Sequence, residues 1–580
     1  MKKIFILLLA FFVLVSCSYA SVETKETKNS VTRNNPEQEL RPRSSSPASK
    51  DAFYFYLMAY AAEMESDWEN ALSNYMAALR HDPSSAFIRV QIGTVLLRTG
   101  KAKEAAGYAE EALKYDPENI RALILLGELY QGQGRKDEAV KIYEKIIKID
   151  PGEAKGHLLL GALYASMEKL EDARSTLGKL LAIEPDNVMG LFYLGLISYE
   201  QKDYDRAETE FLKAIQAKPN FENAYIYLGS IREIRKDREG AAKYYETVLS
   251  INPHNSEATE RLANIYIRNK ETDKAIKQYE KMSAFNPRNL SVHKILANLY
   301  IESEEYEKAV EELRIVLEEQ PDDFQSMHLL ALALDQLGRI EEATEEIEKV
   351  VNGKPENLDA RLLLGYLYTR QDRFGDAARV YEAVLEQEKE KPEIYVYLGS
   401  VYIELKKYGE GEALLAGAVE KFPKNEDIRF YMAVLSEKQG RFDEMVKHLK
   451  DALDINPKHA DSLNYLGYSY AERGTNLEEA VELIQGALAE KPDSGYYIDS
   501  LGWVYYRMGR YDEALKELLR AIEFAEKDPV IYEHIGDVYF ALGNMGEARK
   551  AWEEAVRLDE KKEEGLAERV EKKLESLEKM

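Results

Sequence analysis

Proline recurs along this chain with a fixed period. Pro83, Pro117, Pro151, Pro185, Pro219, Pro253, Pro287, Pro321 and Pro355 are each 34 residues apart. The register runs on through Lys389 to Pro423 and Pro457, then slips by one to Pro492. A residue that fixes φ and lacks an N–H stops the preceding helix at the same point each time, so the chain reads as repeated units, not independent domains. With residue 52 as the first position there are fifteen units, from 52–85 to 529–562, and the thirteenth, 460–494, carries one extra residue.

Within each unit a few positions accept only certain side chains. The eighth is small throughout: Gly93, Gly127, Gly161, Gly195, Gly229, Gly365, Gly399, Gly467, Gly502 and Gly536, with Ala59, Ala263, Ala297, Ala331 and Ala433 in the rest. The twentieth is Ala in thirteen units, Gly411 and Met445 being the exceptions, and the eleventh is Tyr in nine. Apolar residues fall between them at helical spacing, as in Leu123, Leu126 and Tyr130, then Ala139, Ile142, Tyr143 and Ile146. This pattern predicts a helix, a short turn and a second helix in every unit. The small residues let the two backbones approach, and bulky residues near position 24 (Tyr75, Tyr143, Phe211, Trp552) fill the space around them. One such hairpin cannot bury both of its faces, so the units must stack.

These positions resemble the tetratricopeptide repeat. The resemblance covers residues 52–562 and implies an all-α fold: an α-solenoid, a right-handed superhelix of about fifteen 34-residue hairpins. Units 1–7 occupy 52–289 and units 8–15 occupy 290–562; a narrow stripe of Leu566, Val570, Leu574 and Leu577 makes 563–580 a capping helix over the exposed end.

The first residues read differently. Met1-Lys2-Lys3 precedes an apolar run from Ile4 to Val15, too short to span a bilayer but suited to the core of a secretory signal. Leu14-Val15-Ser16-Cys17 resembles the bacterial lipobox, which implies a signal peptide over 1–16 and acylation of Cys17, the only cysteine; the alternative is an ordinary cleavage near Ala20. Ser18, in place of an Asp, favours the outer membrane, facing the periplasm. Residues 17–50 are polar and read as a flexible tether, leaving the membrane to be reached through the lipid anchor only. The formal charge is −26, and residues 51–580 hold 70 basic against 100 acidic residues. Such acidity argues against nucleic acid, whose phosphates need clustered Lys and Arg.

The residues point to no catalysis. No zinc-protease helix, phosphate loop or Gly-x-Ser-x-Gly elbow occurs, and Gly132-Gln133-Gly134 sits at a turn. The eight histidines are scattered, His81, His254 and His459 among them in turns between units, and acidic pairs such as Glu304-Glu305 and Asp322-Asp323 read as solvated charge. We therefore expect no enzyme, no cofactor, no metal and no small-molecule substrate. The partners expected are other proteins.

In the family, the inner wall is lined mainly by positions 2, 5, 9, 12 and 13 of each first helix. Those positions hold Phe53, Tyr56, Tyr60 and Phe87 at the start and Tyr468, Tyr496, Trp503, Tyr506 and Phe540 at the end. Aromatic side chains are the usual anchors of protein interfaces, though the same rings could simply pack against neighbouring units. The middle is polar, with Asn264, Arg268, Lys294, Asn298 and His328. Lys294 and Asn298 match part of the carboxylate clamp by which some family members grip a peptide terminus, while Glu260 and Leu329 depart from it.

A closer resemblance lies in Leu463-Asn464-Tyr465-Leu466-Gly467-Tyr468, in Arg473 to Ala480 and in Asp499 to Arg507. They look like a group of large tetratricopeptide lipoproteins of Gram-negative outer membranes. A member of that group binds a carboxyl-terminal processing protease and delivers peptidoglycan hydrolases to it. The resemblance implies an envelope-anchored scaffold or adaptor, with a periplasmic protease and cell-wall hydrolases as partners. The alternative is an accessory lipoprotein of a secretion, pilus or exopolysaccharide export machine.

Overall fold

A computed structural model describes residues 50–559 and 565–578. The signal peptide, Cys17 and most of the tether lie outside the described residues. Among those described there are thirty-one helices, two to each repeat and one at the end, Leu566–Glu578. They fall into two compact units that divide between Pro287 and Arg288, two residues before the boundary expected from the repeats.

Repeat 3 shows why these residues form this hairpin. Its first helix, Ile120–Gly132, starts after Asn119, whose side chain accepts a hydrogen bond from Ala122 N and so satisfies one of the orphan amides of the first turn. Gly134 then takes a left-handed φ of 77° that closes the turn, and the second helix runs Lys136–Ile149. It stops because Asp150, the residue before Pro151, is held extended at φ −131° and ψ 98°.

The turn is more uniform than the sequence suggested. Position 15 is left-handed in all fifteen repeats: in seven it is Gly, and in the others it is Ser66, Glu168, Lys202, Lys236, Lys270, Glu304, Asp372 or Lys406. The extra residue of repeat 13 is absorbed here, between Gly474 and Leu477, with Asn476 also left-handed at φ 48°.

First helices are buried more completely than second helices. In repeat 3 the former buries Ala122 through Gly127 and Leu129, the latter only Ala139, Tyr143 and Ile146. Full burial of a side chain such as Ile146 contributes roughly 1.5–3 kcal/mol. Position 8 meets position 24 directly: the glycine leaves room for the large side chain opposite, as Gly195 does for Phe211 and Gly502 for Leu518.

Tyrosines at position 11 tie one repeat to the next. Tyr164 donates to Glu144 at 2.8 Å, Tyr266 to Glu246 at 2.9 Å, Tyr368 to Glu348 at 2.7 Å and Tyr402 to Glu382 at 2.8 Å. Each bond reaches back 20 residues to the second helix of the preceding repeat. A cation covers several of these rings, with Arg373 Cζ 4.1 Å from the Tyr368 centroid and Lys169 Nζ 5.8 Å from that of Tyr164.

The terminal helix closes the array as expected. Leu566 and Val570 are buried with Ala548, Trp552 and Ala555.

Candidate protein-binding surface

The C-terminal aromatic group sits on three consecutive first helices, Ala460–Arg473, Gly495–Arg507 and Pro529–Ala541. Tyr496 stands out from this wall with 65% of its surface exposed. Trp503, the ninth residue of Gly495–Arg507, is half-buried in a stack. Its ring lies 4.8 Å from Tyr506 at an interplanar angle of 17° and 4.1 Å from His534 at 18°. Its Nε1 donates to Glu472 of the preceding repeat.

Beneath the stack is a set of charged groups that the sequence did not single out. His534 is buried, and its Nδ1 is 2.8 Å from Asp499 Oδ1. Burial alone would lower the imidazole pKa, but Asp499, Asp537 and Glu533 outweigh it and hold the ring above its usual value. Glu533, only 4% exposed, receives Arg569 at 2.9 Å and Lys573 at 2.8 Å from the terminal helix. Those two cations overcome its desolvation and keep its carboxyl below the ordinary range. Asp537 accepts from Lys573 at 2.7 Å and from Trp552 Nε1 at 3.0 Å, yet burial still pushes its pKa up. The terminal helix thus closes the core and also pairs with the buried Glu533 and the partly buried Asp537.

Tyr468 is half-buried, its hydroxyl pushed up by burial and by the nearby Glu472, Asp499 and Glu533. Phe540 packs against Trp552 at 5.7 Å, among the residues that meet the terminal helix. Of the five C-terminal aromatics, then, Trp503, Tyr506 and Phe540 are engaged in ring contacts and Tyr496 is the one presented outward. The surface offered is aromatic at its centre with charged pairs beside it, the usual composition of an interface core and rim.

The other sequence candidates are placed differently. Phe53 and Tyr60 are exposed, whereas Tyr56 turns inward, 5.8 Å from Tyr75 and 5.4 Å from Phe87. Lys294 forms an ion pair with Asp323 at 2.6 Å and donates to Gln320 at 3.2 Å, while Asn298 donates to the Lys294 carbonyl at 2.7 Å. The Lys294 charge is therefore met within its own repeat. Asp323 is only partly exposed, and its carboxyl is lowered because Lys294 and Ser326 outweigh its burial, so it is a paired group and not the solvated charge expected. Asp499 and His534 had a faint signal in the sequence: an acid at position 5 and an imidazole at position 6 of adjacent repeats, 35 residues apart.

Several tetratricopeptide-repeat profiles match this chain: one over 96–163 and 234–299, a second over 158–220 and 432–495, and others over 502–543 and 530–562. The N-terminal repeat region of Psidin matches over 294–414. The chain belongs to the tetratricopeptide-repeat family. This tetratricopeptide-repeat chain is 38% identical over 78 residues to TPR repeat-containing protein PA4667 of Pseudomonas aeruginosa, a match covering 13% of each protein. Among solved structures it is similar to a tetratricopeptide repeat protein of Parabacteroides merdae, with 19% identity, 44% of this chain and 100% of that one covered, and a TM-score of 0.35. It is also similar to the Cut9–Hcn1 hetero-tetramer of the APC/C, with 15% identity, 90% and 96% coverage and a TM-score of 0.34. Both are likenesses of fold.

Proposed function

We propose that this tetratricopeptide-repeat chain is a non-enzymatic scaffold, anchored in the bacterial envelope through an acylated Cys17, that binds soluble proteins on the first helices of repeats 13–15. A periplasmic protease and peptidoglycan hydrolases are the partners that the closer resemblance favours. The observation that carries the reading is Tyr496, exposed beside the Trp503–Tyr506 stack. A large outward ring beside a rigid aromatic pair contributes contact area at small entropic cost. The acidic array, at 100 acidic to 70 basic residues over 51–580, draws basic partners and speeds their encounter at low salt.

The test is cross-linked capture from envelope extract by the chain from residue 18 onward, read by mass spectrometry, with Tyr496→Ala as the comparison. Recovery of a protease with cell-wall hydrolases, lost in Tyr496→Ala, supports the adaptor reading. Recovery of a channel or pilus subunit replaces it with the export-machine reading. The anchor is tested separately: the mass of the N-terminal peptide from cells must carry acyl chains on Cys17.

A further inference from the structure

The first helix, Lys50–Met64, is apolar on both sides. One side packs inward: Ala52 and Ala59 are buried, and Phe55, Tyr56 and Ala62 meet the cluster that includes Ala71, Tyr75 and Ala78. The other side faces solvent, yet it carries Phe53, Tyr54, Leu57, Met58, Ala61 and Met64 at helical spacing, with Tyr54 58% and Met64 71% exposed. Of the two acids in this helix, Asp51 is exposed in the first turn at the edge of that face, and Glu63 points away from it and accepts a hydrogen bond from Tyr75 at 2.9 Å. A contiguous apolar face of this kind on a strongly acidic protein calls for an occupant.

We infer that this face lies in the headgroup layer of a lipid bilayer. The inference rests on the anchored reading of Cys17. Lys50 is 33 positions beyond Cys17 in the sequence. Acylation would therefore hold the first helix next to the membrane at high effective concentration. Tyr54 and Tyr60 suit such a layer, since a phenol presents an apolar ring and a polar tip. Among the described residues no helix is long and apolar enough to cross a membrane, so the helix lies on the bilayer and does not span it. A second copy of the chain is disfavoured as occupant because each copy carries a formal charge of −26 and two such arrays repel. The same repulsion predicts a preference for zwitterionic over anionic lipid.

The experiment is flotation of the lipid-free chain, residues 18–580, with phosphatidylcholine vesicles, beside the double variant Leu57→Glu with Met58→Glu. The wild-type chain should float, the double variant should float at least tenfold less with an unchanged melting temperature, and phosphatidylglycerol vesicles should recruit less wild type than phosphatidylcholine. Wild type that stays at the bottom of the gradient overturns the inference. So does a wild-type dimer in sedimentation that the double variant converts to monomer, because the face then belongs to a second copy. Flotation reads the helix face without the anchor, and the acyl mass on Cys17 reads the anchor, so failure of the one is distinguished from failure of the other.

Discussion

A Cβ placed on Gly229 would lie 2.6 Å from Cε1 of Tyr245, across the hairpin of repeat 6. Tyr245 is fully buried and cannot swing aside, so the glycine is a requirement of its partner. Gly229→Ala should cost about 1–3 kcal/mol, and Gly229→Leu more. Gly178, by contrast, sits exposed within the helix Leu170–Ile183, with nothing within 4 Å of an added Cβ. Gly178→Ala should stabilise by about 0.5–1 kcal/mol. Urea titration gives both signs, and hydrogen exchange should localise the loosening of Gly229→Ala to repeat 6 and its neighbours.

The ladder of tyrosines predicts an alkaline limit. Burial, then the hydrogen-bonded glutamates, push the hydroxyls of Tyr164, Tyr266, Tyr368 and Tyr402 up to about 12. An unfolded tyrosine ionises near 10. The protonated form is thus held more tightly in the fold: stability from these groups is fully present below about pH 10 and is lost as pH rises toward 12. Spectrophotometric titration should show late-ionising tyrosines whose ionisation coincides with unfolding. Tyr368→Phe should cost about 1 kcal/mol, because it leaves Glu348 without its donor.

The Asp499–His534 pair predicts a second, milder pH effect. With the imidazole pKa raised in the fold, its contribution is complete below about pH 6.5 and is lost as pH rises through the folded value. Asp499→Asn should lower the His534 pKa in an NMR titration and remove this dependence. Exchange in Pro529–Ala541 should quicken above neutral pH in the wild type and change less in the variant.

Trp503 should prove structural as well as exposed to partners. The sequence left Trp503 and Tyr506 open between interface anchors and packing against neighbouring units, and the Trp503 ring covers His534 and donates to Glu472. Trp503→Ala should cost about 1–3 kcal/mol in thermal unfolding, whereas Tyr496→Ala should leave the melting temperature unchanged.

The terminal helix should be indispensable to repeat 15. Leu566→Ala removes a fully buried side chain and should cost about 2–4 kcal/mol locally. Trp552, 2% exposed, should then report the loosening as a red shift of its fluorescence.

Much of the fold was legible because each repeat states the same few demands. Small residues at position 8 and a proline register broken only at Lys389 and shifted at Pro492 locate the hairpins from Ala86 to Leu558. What escaped was what crosses between repeats. Tyr at position 11 was visible, but its partner is a Glu 20 residues earlier, in a different hairpin, so reading one unit at a time hides the bond. Tyr470, Tyr505 and Tyr539 have Lys450, Gln485 and Leu519 at that distance, which a comparison of neighbouring units would have separated from the six tyrosines with a Glu there. Arg569 and Lys573 escaped for the same reason, since the apolar stripe of the terminal helix does not show which carboxylates of repeat 15 its charges meet. At position 15 a lysine such as Lys236, at φ 62°, gives no local sign of its backbone, which the two flanking helices impose.

The left-handed residue at position 15 decides where the chain can change length. A residue added inside either helix would turn every later side chain by about 100° and pull position 8 away from position 24. One added in the turn changes no helical phase, as Gly474 to Asn476 already demonstrate. Insertions and deletions in this chain should therefore be tolerated as whole hairpins or at the turns, which makes the number of repeats, and hence the reach of the scaffold, the freely adjustable quantity.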